Sequence, residues 1–239
     1  MSRGKWVLML GVFAATVLAG GANPATANII FGDLTPTPGC GPNGAVGAVC
    51  GINETFTFGG DTVIAHGFTG APAPGAGNVN LTLKPIPLNL FGESGLGVQA
   101  NNTATTCTDP ECEIVPLESV SATRVGSTLI TDAFIGSVQA GDTFTFFVQT
   151  TEGGAFTQLG GIITNTCAFP GGSVAGTDLC RWDAPAGQTR FGVAVQAVTG
   201  NVLLTEVSTL AVAVPAPASL LLLGTGVLGF RLLQRRRKL

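Results

Sequence analysis

Thr55-Phe56-Thr57-Phe58, Gly59-Gly60 and Asp61-Thr62-Val63-Ile64-Ala65-His66-Gly67-Phe68 form the stretch whose reading decides the fold. Side chains on a strand point alternately to its two faces, so each segment can turn one face toward a core. Two glycines between them supply the positive φ angles of a tight hairpin turn. The stretch therefore predicts a β-hairpin. The same texture continues along the chain: 79–83, 119–125, 127–138, 143–149, 157–164, 190–198 and, after the turn Thr199-Gly200-Asn201, 202–212 read as further strands. No window between the two ends of the chain holds a helical period. Many short strands punctuated by Gly, Pro and Asn predict an all-β, β-sandwich-like single domain. With 14 Phe and no Tyr, phenylalanine is the aromatic that fills its core.

The two ends have a different composition. At the C-terminus, Val214-Pro215-Ala216-Pro217-Ala218-Ser219 leads into an uncharged run ending at Phe230, followed by Arg231 and the cluster Arg235-Arg236-Arg237-Lys238. Counted from Pro215 to Leu233, with Arg231 snorkelling, the run has about the 17–20 residues that cross a bilayer as a helix. The two prolines lack amide protons and keep the residues before the helix extended. Basic residues next to a span stay in the cytoplasm, which leaves everything before Val214 on the other side.

These three parts, in this order, resemble the PEP-CTERM sorting signal of exported proteins in Gram-negative bacteria that make exopolysaccharide. The commonest version has Glu where this chain has Ala216, and variants with an apolar residue there belong to the same group. The resemblance implies that an exosortase, a membrane protease, recognises the tail, and that the helix is removed during delivery to the cell surface or extracellular matrix. The C-terminal helix is then a transient inner-membrane span. A second resemblance lies in mid-chain, where Phe91-Gly92-Glu93-Ser94-Gly95-Leu96-Gly97-Val98 and then Glu113-Ile114 look like the G-L-G-V…E-I-D segment of β-rich proteins carrying such tails. Val115 stands in place of the Asp, so no role of that carboxylate carries over. The glycines read equally well as a turn followed by an edge strand.

At the N-terminus, Arg3 and Lys5 precede an apolar run over 6–18 and then Ala25-Thr26-Ala27. This is the pattern of a secretory signal peptide handled by the Sec export machinery, with cleavage expected after Ala27. The chain thus divides into a cleavable signal helix at 1–27, an exported all-β domain at 28–213 and a sorting tail at 214–239. All 14 acidic residues lie between Asp33 and Glu206, whereas Lys84, Arg124, Arg181 and Arg190 are the only basic ones there, a net charge of −10 for the exported part. Such a surface does not suit nucleic acid, which needs clustered Lys and Arg.

Six cysteines lie in the exported part as three neighbouring pairs: Cys40 with Cys50, Cys107 with Cys112 and Cys167 with Cys180. An exported chain is expected to carry them as disulfides. Fifteen connectivities are possible, and the sequential one closes three short loops. Zinc is the poorer reading, since there is no C-x-x-C pair and His66 is the only histidine.

The residues point away from catalysis. No G-x-S-x-G elbow occurs, and nothing places a Ser and an Asp beside His66. Asp109, Glu111 and Glu113 form the densest acidic patch, with oxygens at alternating positions but no EF-hand pattern. After export the only tryptophan is Trp182, which reads as packed in the core or against a disulfide; an exposed Trp182 would instead favour sugar binding. The expectation is a cell-surface or matrix protein, structural or adhesive, with no cofactor, no metal and no enzymatic activity. Its partners are an exosortase-like protease, the Sec machinery and extracellular polysaccharide, as in a biofilm. The alternative is a secreted module that binds polysaccharide or calcium.

Overall fold

A computed structural model describes residues 26–31, 48–58, 60–84, 95–99, 113–126, 128–168, 170–174, 177–186, 188 and 190–211. They belong to one compact unit, Ala25–Ala211. In chain order its strands are β1 (Thr26–Ile30), β2 (Ala48–Val49), β3 (Asn53–Phe58), β4 (Asp61–Thr69), β5 (Asn80–Lys84), β6 (Gly95–Gln99) and β7 (Glu118–Val125). They continue as β8 (Thr128–Gly136), β9 (Thr143–Gln149), β10 (Phe156–Gln158), β11 (Ile163–Thr164), β12 (Cys180–Asp183), β13 (Gly192–Thr199) and β14 (Leu203–Ala211).

These strands form two antiparallel sheets. The first runs β12-β8-β14-β6-β5-β2, with β1 also paired to β14; the second runs β10-β9-β13-β7-β4-β3, with β11 also paired to β9. Alternation sets the inward faces, interrupted in the β8–β14 ladder by two register shifts, between Leu204 and Glu206 and between Ser208 and Thr209. Phe144, Phe146 and Val148 of β9, Val193 and Val195 of β13, and Val63 and Ala65 of β4 are buried against Ile130, Ala133 and Ile135 of β8 and Leu204 and Val207 of β14. Two aromatic contacts cross between the sheets. Trp182 of β12 lies 5.0 Å from Phe146 of β9, and Phe31, which follows β1, meets Phe56 of β3 edge-on at 4.9 Å. The fold is β-sandwich-like, as the strand texture predicts.

The founding hairpin appears as expected. Asn53 pairs with His66 and Phe58 with Asp61, and Gly60 takes φ +92° in the turn. The stretch expected as one strand over 157–164 is instead β10 and β11, both paired to β9. The Gly160-Gly161 turn separates them. The G-L-G-V segment becomes β6, an interior strand between β5 and β14 rather than an edge. Gly95 allows this, because a Cβ there would sit 2.7 Å from the Leu204 carbonyl oxygen. The expected cleavage point after Ala27 falls inside β1, where Ala27 pairs with Thr209 and Asn28 with Ser208.

Cys167 and Cys180 form a disulfide with a Cα–Cα distance of 5.3 Å. It joins the loop after β11, on the second sheet, to the start of β12, on the first. Closing a loop of 13 residues contributes roughly 3 kcal/mol by restricting the unfolded chain. Cys50 is also disulfide-bonded, to a cysteine outside the described residues; Cys40, Cys107 and Cys112 all lie there. Among the described residues no helix is long and apolar enough to cross a membrane. The expected spans at both ends, and the motif Val214 to Ser219, also lie outside them.

Trp182 is 0 % exposed, so its indole is packing rather than surface. Trp182→Ala leaves a large cavity against Phe146 and is expected to cost about 3–5 kcal/mol in urea unfolding. A loss below about 1 kcal/mol, the range of surface changes, would show that this contact does not hold the sheets together.

Candidate functional site

A cleft of about 200 Å³ opens on the outer side of the second sheet, lined by His66, Thr123, Arg124, Gln149, Glu152, Phe156 and Phe191 among others. Strand register explains its position. Ile64 of β4 pairs with Thr123 of β7, Thr123 with Gly192 of β13, Gly192 with Gln149 of β9, and Gln149 with Phe156 of β10. This row crosses five strands, and at its centre stands a residue with no side chain. A Cβ on Gly192 would lie 3.0 Å from both Gln149 Oε1 and Thr123 Cγ2. Glycine here leaves room for those two side chains, which line the cleft. Walls come from the loop after β4, which contributes Ala73 and Gly75, and from Glu152 and Gly153 after β9.

Hydrogen bonds hold these walls in place. Gly77 N–H donates to Asn53 Oδ1 at 2.8 Å, and Thr69 N–H donates to Asn78 Oδ1 at 2.9 Å. Ser119 Oγ–H donates to the Gly70 carbonyl at 2.8 Å. On the other side, Gln149 Nε2–H donates to the Gly154 carbonyl at 2.6 Å. The first of these bonds also assigns the tautomer of His66. Asn53 Oδ1 already accepts from Gly77, so it is an acceptor for His66 Nδ1, 2.6 Å away, and Nδ1 carries the proton. Nε2 is then an acceptor. The nearest hydroxyl, Thr123 Oγ1 at 3.4 Å, lies closer to the Ile64 carbonyl, at 3.2 Å, and donates there. Burial pushes the imidazole pKa below its ordinary 6.5, so the ring is neutral at neutral pH.

Among the described residues, Arg124 is the only cation in the cleft. Its guanidinium stacks on the Phe191 ring, 4.2 Å from the centroid, and its side chain is 10 % exposed. Nη2 is 3.7 Å from a carboxylate oxygen of Glu152, whose own side chain is 80 % exposed. That separation exceeds hydrogen-bonding range. Nε is buried and makes no hydrogen bond within the protein. The cleft therefore holds a desolvated cation and a neutral imidazole acceptor, with Phe156 at its side. Of these groups, sequence reasoning picked out His66 alone. Arg124, Gln149, Glu152 and Phe191 come from separate strands and loops, with no local sign that joins them.

Other candidates end differently. Glu113 of the acidic patch is buried, with Oε1 2.6 Å from Lys84 Nζ and accepting from Ser137 Oγ at 3.2 Å, so its carboxylate is turned into the protein. Asp109 and Glu111 lie outside the described residues. On the solvent side of the first sheet, Asp132 faces Arg181 at 3.9 Å and accepts from Ser208 Oγ at 2.5 Å. Arg181 also donates to Asp183 at 2.7 Å. Nearby, burial and then the Asp132 charge hold the Glu206 carboxyl above its ordinary 4.5, with Arg181 opposing. Among the described residues no group of three His, Cys, Asp or Glu side chains converges to hold a metal ion. His66 faces an amide, Asn53, where a Ser-His-Asp triad has a carboxylate.

Comparison with protein families matches residues 213–238 to the PEP-CTERM protein-sorting motif. The tail is therefore a PEP-CTERM sorting signal, and such a signal implies export and processing by an exosortase. No curated protein and no solved structure matches the chain.

His66 is the single histidine, so one imidazole resonance reports on the cleft. Its folded pKa lies below the unfolded 6.5, so its contribution to stability is whole above 6.5 and is lost as pH falls toward the folded value. An NMR titration is expected to show a midpoint below 6.5, and His66→Gln to remove that part of the acid sensitivity. A midpoint at or above 6.5 would contradict the burial. Glu206 has the opposite sign. Its raised pKa gives stability that is whole below 4.5 and is lost as pH rises through the folded value. Glu206→Gln is expected to raise the melting temperature at pH 7, and the gain should vanish below pH 4.5; an equal gain at both pH values would point to another cause.

Proposed function

We propose that this is a structural or adhesive protein of the cell surface or extracellular matrix, without enzymatic activity, whose tail is cut away during delivery. The observation that carries this reading is the join between domain and tail. β14 ends at Ala211 and the sorting motif begins at 213, so the folded unit runs into its sorting signal with Val212 alone between them. What is delivered is then the sandwich itself, with no further domain between it and the signal.

The non-enzymatic part of the proposal is supported by His66, whose Nδ1 faces Asn53 rather than a carboxylate. In a Ser-His-Asp arrangement that carboxylate stabilises the imidazolium. The adhesive part is supported by the cleft beside it. A second reading, a secreted polysaccharide-binding module, is favoured by the same cleft. In that case recognition runs through Arg124 and His66 and not through an aromatic platform, because Trp182 is in the core. Calcium binding loses Glu113, which is committed to Lys84.

Intact mass and fractionation of the native protein test the delivery. A mature N-terminus at Asn28 and a C-terminus between Pro215 and Ser219, recovered at the surface or in the medium, are the expected result. Recovery of Arg235, Arg236, Arg237 and Lys238 with the membrane fraction would overturn the transient span and leave a permanent anchor.

A further inference from the structure

We infer that the cleft on the second sheet is a binding site for a carboxylate-bearing sugar, a uronic-acid unit, with the carboxylate held by Arg124. This deepens the adhesive reading by naming the ligand. It rests on export only in that such glycans lie outside the cell.

The argument begins with Arg124. A guanidinium with a side chain 10 % exposed has given up most of its hydration, and burial of a charge is costly unless it is paired and hydrogen-bonded. Here Nε makes no hydrogen bond within the protein. The nearest carboxylate, on Glu152, is 3.7 Å away and 80 % exposed, too far and too well hydrated to repay that cost. Phe191 covers one face of the guanidinium, and Arg124 lines the cleft. A planar cation with an edge at the wall of a cleft suits a planar anion that accepts two parallel N–H bonds, which is a carboxylate. Glu152 already approaches as a loose carboxylate from the rim, and a ligand carboxylate takes its place.

The remaining groups identify what the carboxylate is attached to. His66 is neutral, with Nδ1–H fixed on Asn53, so Nε2 presents a lone pair that accepts from a hydroxyl. Phe156 offers an apolar ring at the side, and Thr123 and Gln149 add polar groups to the lining. A carboxylate, at least one hydroxyl and an apolar face within about 200 Å³ describe one six-membered uronate ring. Charge limits the density of such units. The exported part carries four basic residues against fourteen acidic ones, so a glycan with a carboxylate on every ring is repelled by the protein as a whole. The ligand is a sparsely charged glycan, bound one uronate at a time.

Titration of the full-length chain in detergent with D-glucuronate, read by calorimetry and by the His66 imidazole resonance, tests this. Glucuronate is expected to saturate one site and shift that resonance, with D-glucose at least about tenfold weaker, as loss of a charge-assisted hydrogen bond requires. Arg124→Gln is expected to lose about ten- to hundredfold in affinity. Because Arg124 is buried, its variant must retain the parent's circular dichroism to count. Glu152→Gln changes an exposed side chain and provides the second arm: removing the competing carboxylate is expected to tighten glucuronate binding. Equal affinity for glucose and glucuronate, or no binding by either the parent or Glu152→Gln, overturns the proposal. N-acetylalanine binding as tightly as glucuronate overturns the sugar and assigns the cleft to a peptide C-terminus. None of these results depends on where the tail is cut, so failure here and failure of the delivery reading are separate outcomes.

Discussion

The pairing of β14 is the constraint on which the rest of the structure depends. One edge of this strand pairs with β8 from Leu203 to Ala211. The other is shared, β1 covering Glu206 to Leu210 and β6 meeting Leu204. β14 is also the last strand of the described chain. The first sheet therefore lacks its centre until the residues next to the sorting tail have left the membrane machinery. Its partner β1 comes from the opposite end of the domain, so the pairing closes a loop nearly as long as the whole exported part. Contacts of that range form late and slowly, because the entropy of closing the loop is lost before any pairing repays it.

The second sheet answers a different demand. Its inner face is committed to the core through Phe144, Phe146, Val193 and Val195, and its outer face is overlaid by the segments after β4 and β9. Those segments are anchored by backbone bonds, such as Asn78 N–H donating to the Gly67 carbonyl, and by side chains. Asn53 Oδ1 serves both sides of the problem, holding Gly77 N–H and fixing the His66 ring. The polar groups of the cleft are thus placed by the bonds that keep its walls in position. At Gly192 the missing side chain leaves room for Gln149 and Thr123, both of which line the cleft.

How much of this was legible in the sequence follows from which interactions are local. The Thr/Phe alternation of 55–58 and the Gly-Gly turn declare a hairpin without outside information, and 143–149 coincides with β9 because Thr143 to Gln149 alternates around Phe144, Phe146 and Val148. Cys167 and Cys180 are near neighbours, and the disulfide between them was among the sequential pairs expected. β12 was not legible, because Cys-Arg-Trp-Asp is four residues long and two of them are charged. β1 was obscured by Ala25-Thr26-Ala27, which reads as a cleavage site while its last two residues pair with β14. The cleft was least legible of all, since its register joins β4, β7, β13, β9 and β10, an order that only the folded sheet establishes.

The four cations of the exported part show why Arg124 matters beyond its own contacts. Lys84 is buried with Glu113. Arg181 lies between Asp132 and Asp183, and Arg190 is buried beside Gln188. Each is set against oxygen atoms that the fold brings to it, so the surface field is left to the acidic residues. Such a field keeps separate copies apart and keeps polyanions at a distance. Among the described residues, Arg124 is the positive charge that lines this cleft without a hydrogen-bonded carboxylate. An anion reaches it by losing water in a cleft with Phe156 and Phe191 in its walls, which strengthens the pairing relative to open solvent. The acidic surface and the lone cationic cleft therefore act together: the first excludes densely charged polymers, and the second holds one carboxylate at a time.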